Sequence, residues 1–76
     1  MDIKLDNGRK KAAIDKIRLY FQDEHEESIG DLKADMLIEF FLREIAPAVY
    51  NQAIEDAHAF MQDKLMDLEG ILYVEE

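Results

Sequence analysis

Asp31-Leu32-Lys33-Ala34-Asp35-Met36-Leu37-Ile38-Glu39-Phe40-Phe41-Leu42-Arg43-Glu44-Ile45 is the stretch whose reading decides the fold. Plotted at about 100° per residue, its apolar side chains (Leu32, Met36, Leu37, Ile38, Phe40, Phe41, Leu42 and Ile45) surround nearly the whole helix axis. Only Asp35, Glu39 and Arg43 form a clear polar stripe. A helix that is apolar on most sides is normally buried on most sides, and two neighbouring helices from so short a chain do not suffice to cover it. The stretch therefore predicts a core completed by another protein surface, in the first place a second copy of the same chain. Upstream, Ser28 with Asp31 three residues later reads as an N-cap and a shortened capping box, with Gly30 easing the turn.

Working outward, Ala13, Ile14, Ile17, Tyr20 and Phe21 recur at helical spacing before this stretch and predict an amphipathic first helix. Its charges oppose the helix macrodipole: Arg9, Lys10 and Lys11 stand near the positive end and Asp23 to Glu27 near the negative one, so tertiary contacts have to compensate. After it, Pro47 ends the second helix and suits the first turn of a third. Tyr50, Ala53, Ile54, Ala57, Phe60, Met61, Leu65 and Leu68 then carry an apolar stripe toward Gly70, the expected C-cap. The expected fold is all-α and compact, a single domain over residues 1–76 with helices at about 8–24, 29–45 and 47–69, dimeric, with short extended ends. Ile3-Lys4-Leu5 and the apolar run from Ile71 to Val74 are β-prone and stand as candidates for a minor ribbon.

Composition limits what such a chain can do. At 76 residues it buries only about 60% of its unfolded surface, so a disulfide, a metal or a partner is the usual supplement. Cysteine is absent, which removes disulfides and thiolate metal sites together. The charged opening from Met1 to Asp6 is no signal peptide and no apolar run is long enough to span a bilayer, so a cytoplasmic protein is expected. The net charge of −9 argues against nucleic-acid and anionic-membrane partners. That charge is unevenly spread: residues 1–21 hold six bases against three acids, a net of +3, and residues 22–76 hold three against fifteen, a net of −12. A basic first helix resting on acidic neighbours, within the fold or a dimer, is the simplest account.

No catalytic motif emerges. Ser28, the sole serine, has no histidine at helical or capping distance, and Gly8, Gly30 and Gly70 form no phosphate loop. Glu55 and His58 share the Glu-x-x-His spacing of di-iron bundles, to which each second helix could add Glu39 or Glu44. They sit on the flank of the apolar stripe, whereas ligands for a buried metal face the core, so they remain metal candidates only and no cofactor is expected. The run Asp23-Glu24-His25-Glu26-Glu27 lacks the ligand register of a calcium loop and reads as a solvated connection. Met36, Phe40 and Phe41, with the polar group Tyr50, Asn51 and Gln52 near the third helix start, are the candidate partner-binding residues.

Tyr20-Phe21-Gln22-Asp23-Glu24, Ile29-Gly30-Asp31-Leu32, Phe40-Phe41-Leu42, Glu44-Ile45, Pro47 and Tyr50-Asn51-Gln52, in this order, resemble domain-of-unknown-function family 2164, a family of small uncharacterised bacterial proteins. The resemblance covers nearly the whole chain, including Ile3-Lys4-Leu5. Where that family typically has glycine before the proline, this chain has Ala46. The resemblance carries no activity, ligand or catalytic residue. Three functional classes follow from the residues: an acidic helical interaction module, a homodimer that binds another protein; a ribbon-helix-helix regulator with Lys4 toward DNA; and a di-metal carboxylate protein using Glu55 and His58. The −9 charge and the long third helix argue against the second.

Overall fold

The computed structural model describes residues 2–76 and contains three helices, α1 (Asn7–His25), α2 (Asp31–Glu44) and α3 (Ala46–Leu72). The chain is all-α, and no strand forms among the described residues. Asp6 caps α1: its carboxylate accepts the Arg9 backbone N–H at 2.8 Å and pairs with the Arg9 guanidinium at 2.6 Å. The backbone hydrogen bond from Arg9, then its side chain, hold the Asp6 carboxyl below its usual pKa. This cap offers a negative group to the positive helix end that the basic first turn would otherwise leave unopposed.

At the other end of α1, Glu26 turns the chain with φ 51°, a left-handed conformation, and the N–H groups of Glu26 and Glu27 both reach the Phe21 carbonyl. Glu26 is the only non-glycine residue with positive φ among those described. Tyr20, Phe21 and His25 gather there, with the His25 ring 5.4 Å from Tyr20 and 5.5 Å from Phe21, centroid to centroid.

Two connections set how α2 lies. Arg18 of α1 donates from Nε to the Ile29 carbonyl at 2.9 Å and from Nη1 to the Asp31 carboxylate at 2.8 Å. These bonds draw Ile29 into the core and occupy the carboxylate that a capping box would use. The expected Ser28 cap is therefore not formed: Ser28 is exposed, the cap residue is Gly30, and no side chain bonds to the helix start. Beyond α2, a single residue, Ile45, interrupts the helical path, and Pro47 falls in the first turn of α3, where its missing N–H leaves no bond unmade.

The core lies between α1 and α2. Ile29, Ala34 and Ile38 are buried there, Ala46 is buried at the α2–α3 junction, and Ala13, Ile14, Ile17, Phe21, Leu37 and Leu42 are half-buried. Ala34 is fully enclosed, which lets the two helices approach closely. Burial of Ile29 and Ile38 contributes about 2 kcal/mol each by area. α3 packs on α2 only near the junction and does not touch α1.

The expected compactness fails at this point. The chain measures 70 × 27 × 20 Å with a radius of gyration of 20.3 Å, against about 11 Å for a compact chain of this length. The physical reason is the short junction, since antiparallel helices need a connection of about two to five residues to fold back on each other. The expected ribbon is absent as well: residues 2–6 form no strand, Ile71 and Leu72 belong to α3, and the helix passes through Gly70 to a cap at Tyr73. Gly70 has no positive φ, so it is a helix residue and no C-cap. No described helix is long and apolar enough to cross a membrane.

Two substitutions test this backbone. Glu26→Gly removes a left-handed non-glycine residue and is expected to raise the unfolding free energy by about 1 kcal/mol, measured by chemical denaturation. Gly70→Ala is expected to stabilise by about 0.5–1 kcal/mol, because Gly70 is helical and a Cβ there meets nothing within 4 Å. A destabilising result would instead mark a left-handed cap.

Candidate interaction surface

Apart from Ala46, every residue of α3 is exposed, and so is the tail from Tyr73 to Glu76. At about 100° per residue, Tyr50, Ala53, Ile54, Ala57, Phe60, Met61, Leu65, Leu68, Ile71 and Leu72 fall in one arc of about 140°. Phe60 and Met61 are each 63% exposed, values normal for surface charge and unusual for an apolar stripe. From Tyr50 to Leu72 that stripe runs about 34 Å of the 27-residue helix. A second exposed patch runs along the outer face of α2 through Leu32, Met36 and Phe40, spaced four apart and turned away from α1. The Arg43 guanidinium lies 5.9 Å from the Phe40 ring centre and rims that patch.

The expected partner-binding residues do not form one site. Met36 and Phe40 lie on the outer α2 face, whereas Phe41, also exposed, falls on the side of Ala34 and Ile38 at about 100° per residue. Tyr50 and Asn51 line a cleft of about 560 Å³ at the junction, together with Asp2, Ile3, Lys4, Glu39, Leu42, Arg43 and Pro47. Gln52 is exposed on α3 and does not line it. Lys4, the residue a regulator would turn toward DNA, shares this cleft with Asp2 and Glu39, whose charges oppose a phosphate. Glu55 and His58 are exposed on the flank of α3, and among the described residues no three of His, Asp and Glu gather as a metal site would require.

The exposed apolar run from Phe60 to Leu72 was missing from the expected site. Its spacing was plain in the sequence, but spacing shows only that a stripe is covered by something, not which chain covers it. The overlooked signal was Glu44-Ile45-Ala46-Pro47, which holds no residues for a hairpin loop.

Electrostatics tie the other two helices together. Lys10 of α1 reaches across to α2, with Nζ 2.7 Å from Asp35 Oδ1 and 2.8 Å from Glu39 Oε1. Asp35 Oδ1 is shut off from solvent and has no aligned hydrogen bond, so the ammonium is what balances its charge. Asp35 first, and Glu39 second, push the Lys10 pKa above its usual value.

The features described define a class: a two-helix hairpin of small core bearing a long amphipathic third helix that its own chain leaves bare. The chain belongs to the family described as Uncharacterized conserved protein (DUF2164), which it matches over residues 3–76. No curated protein and no solved structure matches it.

The Lys10 bridge has a pH signature. A lysine whose pKa is raised by folding stabilises the folded state fully below its ordinary value of 10.5, and that contribution disappears as pH rises through the higher folded value. Lys10→Met is expected to lower the denaturation midpoint at pH 7 and to show less further loss above pH 10.5 than the parent protein, followed by circular dichroism.

Proposed function

We propose that this chain is a helical interaction module that completes its core by homodimerisation and, as a dimer, presents an acidic surface to a further protein. The observation that carries the reading is the area left in water. The accessible surface is 6899 Å², whereas a folded monomer of 8.9 kDa is expected to expose about 4,800 Å². The excess is roughly 2,000 Å² per chain. Two chains covering that much of each other would bury about 4,000 Å² in total, within the range of obligate homodimers. Much of the excess is the apolar stripe of α3, and the single-residue junction keeps the chain's own α2 from covering it.

Sedimentation velocity across a range of concentrations tests the reading. The parent protein is expected to run at twice 8.9 kDa, and Phe60→Glu with Leu65→Glu to run as a monomer that keeps most of its helical signal. Each charge placed in a closed apolar interface is expected to weaken association by several kcal/mol. A parent protein that remains an 8.9 kDa monomer at high concentration removes the proposal.

A further inference from the structure

The charges decide which surface of the second copy α3 meets, given the homodimer reading on which this inference rests. Five bases meet a carboxylate within the chain: Arg9, Lys10, Arg18, Lys33 and Arg43. Among the described residues, Lys4, Lys11, Lys16 and Lys64 meet none, and neither does any acid of α3. α3 carries Glu55, Asp56, Asp63, Asp67 and Glu69 against Lys64, a net of −4. Placed on the α3 of a second copy, it would face the same −4. Placed on α2, with Asp31, Asp35, Glu39 and Glu44 against Lys33 and Arg43, it would face −2. α1, with Arg9, Lys10, Lys11, Lys16 and Arg18 against Asp15, Asp23 and Glu24, is at +2 the one basic helix.

The outer side of α1 also fits in pattern. Opposite the face that packs on α2, at about 100° per residue, Ala12 and Leu19 form a short apolar seam with Lys11 along one edge and Lys16 along the other. Leu19 is 60% exposed and lines a shallow groove of about 300 Å³ with Ile29 and Arg18. Within this seam lies Asp15, which has no basic partner in its own chain. The α3 stripe has the converse feature: Lys64 stands inside it, with Nζ 5.4 Å from the Phe60 ring centre and no carboxylate beside it. A cation covered by an apolar interface is costly unless an acid meets it there.

We infer that α3 docks reciprocally on the outer face of α1 in a second copy, with Lys64 meeting Asp15, and Asp63 and Asp67 lying along a lysine edge. In a two-fold dimer this contact occurs twice, so each chain gives its α3 and receives its partner's.

A charge-exchange experiment tests this arrangement. Asp15→Lys and Lys64→Glu are each expected to weaken self-association by at least about tenfold, since both copies of the contact become repulsive. Mixed one to one, the two variants form a heterodimer with one exchanged contact and one native contact. That mixture is expected to recover the parent dissociation constant to within about threefold, in sedimentation at low salt. Lys16→Glu with Asp67→Lys, treated in the same way, repeats the test on one edge, and circular dichroism of each variant checks that it folds. If the parent protein dimerises while Asp15→Lys associates as tightly as the parent, or mixing restores nothing, α3 pairs elsewhere: the inference is overturned and the homodimer stands. A monomeric parent protein overturns both.

Discussion

One residue, Ile45, whose φ of −112° bends the helical path while its N–H still reaches the Phe41 carbonyl, governs the architecture. A hairpin between α2 and α3 would have let the third helix cover the second and closed a three-helix core within one chain. With so short a break, and with Pro47 accepting the start of a new helix at no loss of hydrogen bonds, α3 continues outward. What is left of the core is the α1–α2 pair, and its buried side chains are few and small: two isoleucines and one alanine, with no large side chain fully enclosed. Polar contacts around this pair therefore carry weight. Arg18 ties the connecting loop to α1, and Lys10 ties the middle of α2 to α1.

Such a monomer is poorly balanced thermodynamically. Ordering a residue costs about 1–2 kcal/mol of backbone entropy, and α3 recovers almost none of that through tertiary contact within its chain. Its own hydrogen bonds and propensity offset part, yet isolated helices in water are marginal even at 15 residues or so, because their stability in proteins comes from packing. In the proposed dimer, folding and association would be linked for α3, since a partner that binds only the folded helix stabilises it by mass action.

How much of this was legible in the sequence differs from element to element. The three helices were, because Ile14, Ile17 and Phe21, then Ala34 and Ile38, then Ile54, Met61 and Leu68 repeat at helical intervals. The excess of apolar surface on α2 was also legible, and Met36, at 64% exposed, and Phe40 display it. Helix ends were less so. Ser28 looked like a cap by type, but the cap position was settled by Arg18 reaching the loop from 11 residues upstream, a contact no local pattern encodes. Gly70 looked like a terminator, yet with no αL turn required it simply continues the helix. The candidate partner-binding residues were split for a related reason: Tyr50 and Asn51 belong to the junction cleft and Met36 to the outer α2 face beside it, a separation set by tertiary geometry.

The Ile45 elbow has a mechanical consequence. With one soft joint at its base, a helix of about 40 Å acts as a lever: a change of 10° at the elbow sweeps the tip through about 7 Å, more than a helical turn. Only the α2 contacts near the elbow brace α3, so small changes in backbone angle there are what set where its far end lies.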